Sequence, residues 1–446
     1  MKISHQDRRT LRCLARRVRD IAARPEQEAR RRAWKAHNRL EPGRPLVLCF
    51  PEGAWQECIP AESLRCGDPV LQGWETRLRM AIYTHEFLAD DQPIDAAFHL
   101  PWDVWADGWG LEATQHVPDS GRRRVYYLQP YVGLSLLSHS DLCAFREDAP
   151  LKERADLRKL RMPRLQVDRE RSDLLLRAAQ DLFADILDVR RRGNPWEIVG
   201  GFPVTAVRLR GMEQLWLDLY DDPGWVKELL RFLAAGHEGV LDAMEREGLL
   251  TLNNGPEWIG TGGIGYTDEL PAAGFESGHV RLKDIWGGLQ AQDLVGISPE
   301  MFEEFFYPLM RPIMERFGLA HYGCCEAADP WLHALLQTAN LRRISISPWA
   351  NVARCAERLQ GRYVFSYKPL PTCVSTERMD EAAIRHQLED AFPITRAHGC
   401  LVEVILKDLH TVRHEPDRLR RWVRLAREAA ARVYGEDGGV DRENNR

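Results

Sequence analysis

From about residue 171 to residue 433 short apolar runs alternate with longer amphipathic stretches, and few folds accept that rhythm. Strand signals fall at Glu197–Phe202, Leu249–Asn254, Val280–Trp286, Phe317–Ala320, 342–347, 363–366 and 400–406. Helical signals fall at 171–188, 211–220, 223–247, 299–317, 329–337, 351–359, 380–391 and 415–433. Pro223 sits where a first helical turn needs no N–H, and Ser298-Pro299 pairs an N-cap with proline at the next position. Strands joined through helices by short connectors must run parallel. A count near eight predicts an α/β fold of the (β/α)8 TIM-barrel type, with its active site at the carboxyl ends of the strands.

The segment before this alternation reads differently. Residues 1–40 are helical, and Arg8-Arg9, Arg16-Arg17 and Arg30-Arg31-Arg32 are interleaved with acids and apolar residues, as on a solvated helix face. Pro45–Phe50 is a short strand stopped by Pro51-Glu52-Gly53, and Trp74–Leu88 is an amphipathic helix. Trp102, Trp105 and Trp109 lie in an irregular aromatic loop, and 149–170 is a charged connector. The expected organisation is therefore an N-terminal helical and irregular extension (1–170) packed on the barrel, the barrel itself (171–434) and a polar, Gly-rich disordered tail (435–446).

The chain has 446 residues, a length that barrels reach with insertions. A net charge of −5 gives no electrostatic case for nucleic acid. There is no apolar run of 18 residues and no signal-peptide core, so a cytoplasmic protein without membrane spans is expected. Ten cysteines scattered through such a chain argue for reduced thiols and against a disulfide framework.

Only two of those cysteines are clustered. His321-Tyr322-Gly323-Cys324-Cys325-Glu326 follows an apolar strand signal and precedes Asp329-Pro330, a helix start. Two thiols and a carboxylate at a strand end offer the soft and hard donors that zinc takes. Cys324, Cys325 and Glu326 are the candidate metal ligands, with His321 as a fourth, against the plainer reading of core thiols and a buried histidine. Other strand ends add polar groups: Asn253-Asn254, Lys283-Asp284, Gln290 and Gln292, Ser347, Tyr367-Lys368, and Lys407-Asp408 with His410. Asn253, Gln292, Lys368 and Asp408 are the candidates for substrate contact or proton handling. The run from Gly255 to Gly265 lacks the spacing of a phosphate loop or a dinucleotide fingerprint, and reads as a flexible active-site loop.

Several blocks resemble the uroporphyrinogen decarboxylase superfamily. They are Gly201–Thr205 through Arg210-Gly211-Met212-Glu213, and Leu217–Pro223. The blocks Val295–Phe305, Tyr322–Glu326, Asn340–Trp349 and Ile405–Asp408 look like its corrinoid-dependent methyltransferase and demethylase branch. The resemblance spans roughly 150–433. It lacks the arginine-rich N-terminal motif of the porphyrin decarboxylases, so porphyrin decarboxylation is not implied. The branch's zinc enzymes carry a His-x-Cys element where this chain has Tyr322–Glu326, and Cys324 is the best match to their cysteine. Cobalamin-dependent methionine synthase and betaine–homocysteine methyltransferase are similar in using adjacent cysteines on zinc.

The resemblance implies transfer of a methyl group from a small methylated substrate to a corrinoid, assisted by zinc, and superfamily relatives imply a homodimer. The sequence has no Asp-x-His-x-x-Gly motif, so the corrinoid (cobamide) is expected on a separate partner protein. The alternatives left open are a metal-independent decarboxylase or lyase of a small carboxylate, using Lys368 or Asp408, and a non-catalytic barrel with packed thiols.

Overall fold

The computed structural model describes residues 3–116, 123–127, 146–193 and 201–435. Two helices, His5–Ala22 and Pro25–Asn38, open the chain as expected. Eight parallel strands follow: β1 (Leu46–Cys49), β2 (Ala97–Pro101), β3 (Asp188–Arg192), β4 (Trp286–Leu289), β5 (Leu319–Tyr322), β6 (Leu341–Ile346), β7 (Val364–Tyr367) and β8 (Leu401–Leu406). Six of them form one parallel sheet in the order β1-β8-β7-β6-β5-β4, and β2 pairs with β3. Short antiparallel pairings among residues 104–167 make up the remaining described strands.

The two parallel groups are joined by side chains where strand pairing stops. Thr251 N–H donates to Gly193 O (3.1 Å) just past β3. Asn253 then receives Trp286 N–H (2.8 Å) and donates to Trp286 O (2.9 Å), taking the place of a strand partner for β4. On the other flank Asp91 N–H donates to Val47 O (2.9 Å) and its carboxylate receives Val47 N–H (2.8 Å). Backbone groups at the edges of β1 and β4 are satisfied in this way.

The alternation from residue 299 onward matches the sequence expectation to within a few residues, but three earlier expectations need correction. Leu249–Asn254 is extended without being a strand, because its polar ends are spent on Gly193 and Trp286. The strand expected over Val280–Trp286 lies later, at Trp286–Leu289, and Leu282–Asp284 is a 3-10 turn. Glycine is a poor strand former, yet here it is required. A Cβ on Gly288 would meet His321 O at 1.9 Å, and one on Gly287 would meet the Phe317 ring at 2.2 Å. The strand expected at Glu197–Phe202 lies mostly outside the described residues; Phe202 itself opens the helix Phe202–Arg210. The tail after residue 435 is also outside them.

The glycine-rich run is not a solvent-facing loop. Ile259, Thr261, Ile264 and Tyr266 are buried, and the segment lies along the inner side of the sheet. Gly263 N–H donates to Glu403 Oε1 (2.8 Å), and Asn38 Nδ2 donates to Ile264 O (2.9 Å) and Tyr266 O (2.8 Å). The aromatic loop is likewise structural at one end. Trp109 is fully buried against the helix Pro223–Arg246, where a Cβ on Gly236 would lie 2.5 Å from its ring.

A Cβ on Gly263 would meet Glu403 Oε2 at 2.5 Å and the Trp34 ring at 2.6 Å, whereas one on Gly73, inside the helix Pro69–Tyr83, meets nothing within 4 Å. Gly263→Ala is therefore expected to lose about 2 kcal/mol or more through overpacking, and Gly73→Ala to gain about 0.5–1 kcal/mol through helix propensity. Urea unfolding of both variants checks this; equal responses would contradict the buried placement of the run.

Candidate active site at the carboxyl ends of the strands

The ends of four strands supply one cluster. β5 runs out at Tyr322, and Gly323 turns the chain with φ +99°, a conformation that favours glycine. Ser345 Oγ donates to Cys324 O (2.8 Å) and fixes that turn against β6. The turn brings Cys324 and Cys325 to the mouth with their sulfurs 3.4 Å apart. From the end of β8, Lys407 Nζ and Asp408 Oδ2 each lie 3.8 Å from Cys325 Sγ, and Lys407 and Asp408 are paired with one another. Lys368 follows β7 and Glu52 follows β1.

Glu52 and Asp408 both hold positive φ (48° and 59°), and the Asp408 backbone N–H hydrogen-bonds the Glu52 carboxyl. Non-glycine residues in this region carry strain that the surroundings must hold, a pattern common where geometry is functional. The sequence reading took Glu52 only as part of a strand stop. It becomes visible once β1 is placed beside β8.

Charge state is strongly graded across the cluster. The hydrogen bond from Cys324 lowers the Cys325 thiol below its ordinary value, and Lys407 lowers it further against burial. That same bond, with burial, pushes Cys324 up, so Cys325 is the sulfur that ionises first. Burial opposes the charged form of Lys407, but Cys324, Glu52, Asp408 and Cys325 raise it above its ordinary value. Burial dominates at Glu52, whose carboxyl is pushed up to about 7 despite Lys407. Burial also pulls Lys368 down to about 7, helped by Lys407 and Arg343 and resisted by Glu403. Lys368 Nζ donates to Ser366 Oγ (2.6 Å) and Ser366 O (3.0 Å).

The expected sites divide accordingly. Cys324, Cys325, Lys368 and Asp408 are brought together. Asn253 is the structural clamp described above, and Gln292 opens a short turn after β4 with no hydrogen bond to the cluster. Lys283-Asp284 precedes β4, so it lies at the wrong end, with Asp284 paired to Arg281 (2.7 Å). Gln290, buried just past β4, has a carboxamide oxygen with no hydrogen-bond partner. It is the better candidate on that loop.

The zinc set expected from Cys324, Cys325, Glu326 and His321 does not fit this arrangement. Glu326 is buried and spends both oxygens on the backbone: Oε2 accepts from Cys324 N–H (2.9 Å) and Oε1 from Ala291 N–H (2.9 Å). It clamps the thiol turn to the loop after β4. His321 points into the sheet interior, 3.3 Å from Thr261 Oγ1 and 3.0 Å from Gly323 O. Burial, with Lys368 and Arg343, keeps it neutral. Among the described residues no group of three or more His, Cys, Asp or Glu is placed to hold a metal ion. The nine described cysteines are unpaired, and no described helix is long and apolar enough to cross a membrane.

No protein-family model and no curated protein matches the sequence. Among solved structures the chain is similar to a methyltransferase from Methanosarcina mazei, with 12% identity, a TM-score of 0.43, and coverage of 89% of this chain and 97% of that one. At that level of likeness the activity has to be argued from the site.

Proposed function

We propose that this chain is a methyltransferase on a closed (β/α)8 barrel. It takes a methyl group from a small methylated substrate and passes it to a corrinoid carried by a separate protein at the mouth. The observation that carries the reading is Lys407, a buried ammonium beside a carboxyl that titrates near 7. When a methyl–heteroatom bond breaks, its electron pair stays on the oxygen, nitrogen or sulfur. A charge-neutral ether or thioether then leaves as an anion. Lys407 is placed to stabilise that charge, and protonated Glu52 to supply the proton. Cys324, Glu52, Asp408 and Cys325 together favour the ammonium form of Lys407. The corrinoid supplies the methyl acceptor; no step is assigned to zinc. Trp349 (71% exposed) and Val295 (56%), on the loops after β6 and β4, supply apolar surface for a docking protein.

One observation favours a second reading. A buried lysine titrating near 7 is partly neutral at neutral pH and suits imine formation or proton abstraction, so Lys368 supports a lyase acting on a small carboxylate. Borohydride trapping of a keto acid on Lys368 identifies that case, and a Lys368→Met control removes the adduct.

The transfer assay mixes the protein with cob(I)amide and a panel of phenyl methyl ethers, methylated amines and methyl thioethers, and follows loss of the cob(I)amide spectrum. With ethers, wild-type turnover should fall as pH rises through about 7, because Glu52 then loses the proton it must give. Glu52→Gln should lose about 100-fold in rate together with that pH dependence. No transfer from any donor would sink the methyltransferase reading, and an unchanged pH profile in Glu52→Gln would sink its acid role.

The thiol pair gives a test that needs no substrate. Iodoacetamide at neutral pH should label Cys325 before Cys324, as read by fragment mass spectrometry. Lys407→Met should slow the Cys325 reaction about tenfold by removing a cation that lowers its pKa. Labelling of Cys324 first would overturn the assignment of the thiolate.

A further inference from the structure

At the other end of β1 from the thiols, the helices Pro25–Asn38 and Asp417–Tyr434 and the residues Pro45–Val47 enclose a cavity of about 460 Å³. This is the size of a small-molecule site. Its lining includes the apolar residues Ala33, Trp34, Leu46, Ala430 and Ala431. It also carries Arg30, Arg44 and Arg427 with two carboxylates, Glu26 and Asp91.

The arginines are unequally satisfied. Arg44 grips Asp91 with two bonds of 2.8 Å, and Arg427 Nη2 reaches the same carboxylate at 2.9 Å. Asp91 also accepts Val47 N–H, so one carboxylate serves two guanidiniums and a strand end. Arg30 donates to a neutral acceptor, Gln92 O (3.2 Å), and Glu26 stands 3.9 Å from Arg24 and 3.8 Å from His85 at its other contacts. Burial is the largest cost to the Arg30 charge; Asp90 and Asp91 favour it, Arg427 repels it, and Glu26 favours it more weakly. Each guanidinium has five N–H donors, and the bonds named use one from Arg30 and one from Arg427.

We propose that this cavity binds an organic phosphate, its phosphate group bridging Arg30 and Arg427 and its body lying against the apolar lining. A phosphate dianion has three acceptor oxygens and relieves the repulsion between two neighbouring cations, whereas a carboxylate is satisfied by a single fork. Arg44 and Asp91 form the fixed base that holds Arg427 in place. The site is remote from Cys324 and Cys325 in the sheet and does not depend on what reaction they support.

The test is calorimetric titration of the full chain at constant ionic strength with phenyl phosphate, inorganic phosphate and benzoate. Phenyl phosphate should bind saturably, more tightly than inorganic phosphate, and at least about tenfold more tightly than benzoate. Arg30→Gln and Arg427→Gln should each weaken it about tenfold or more, the loss of one charge-assisted contact. Arg30→Lys should recover part of that loss, and circular dichroism should show all variants folded. No saturable binding, equal binding of benzoate, or an affinity unchanged in both glutamine variants would each overturn the proposal.

Discussion

The interior of the sheet is organised around a single buried ion pair, Arg343 on β6 and Glu403 on β8, 3.1 Å apart and both fully buried. Burying two charges costs several kcal/mol per ion, and mutual attraction offsets this only if the remaining donors and acceptors are met. They are met only in part, since Arg343 Nη1 and Glu403 Oε2 have no hydrogen-bond partner among the described residues. Glu403 accepts from Gly263 N–H and Ser366 Oγ and lies 3.4 Å from His37. Arg343 donates to Asn38 Oδ1 (2.7 Å) and stacks over Trp286 at 5.1 Å. Burial would raise the Glu403 carboxyl, yet Arg343, His37 and Lys368 hold it far below the ordinary range, so the pair stays ionised. The helix Pro25–Asn38, the inner segment and three strands are thus tied to one pair of charges.

This pair also reaches the mouth. Ser366 donates to Glu403 and accepts from Lys368, so the lysine at the end of β7 is the last link of the interior network. Lys407, at the end of β8, faces the opposite way, toward thiols and carboxylates. The two lysines are similarly buried, but one faces Glu403 together with the cations Lys407 and Arg343, and the other is surrounded by groups that become anions. Burial opposes the charge on both; at Lys368 it prevails over Glu403, and at Lys407 the neighbouring acidic groups prevail. The mouth therefore holds both a partly neutral amine and a firm ammonium.

Much of this was legible in the sequence because periodicity survives where packing is regular. The helices and strands after residue 299 follow from apolar spacing, Ser298-Pro299 and the parallel logic of alternation, and the Cys324-Cys325 turn and Lys407-Asp408 were found as strand ends. What was not legible depends on neighbours distant in the chain. Gly287-Gly288 form a strand because Phe317 and His321 crowd them, and the run from Gly255 to Gly265 is buried because Arg343 and Glu403 need its backbone. Glu52 gains its perturbed carboxyl from burial at a site shared with Lys407 and Asp408, more than 350 positions away. Glu326 looked like a ligand because its type and spacing suit one, and only the N–H groups of Cys324 and Ala291 show that it is a brace.

The brace separates two adjacent thiols whose acidities are shifted in opposite directions. Glu326 accepts Cys324 N–H and Ser345 holds Cys324 O, so Cys324 is fixed at both ends of its peptide units and its sulfur is set back from the opening. Cys325 carries neither tie and turns toward Lys407 and Asp408. With the sulfurs 3.4 Å apart, two thiolates would repel strongly, and the hydrogen bond between them favours ionisation of Cys325 over Cys324. The asymmetry comes from the backbone, so it persists whatever substrate enters. A carboxylate freed to bind a metal would release the Cys324 peptide and remove the asymmetry with it. Glu326 serves one role or the other, and this fold has committed it to holding the turn.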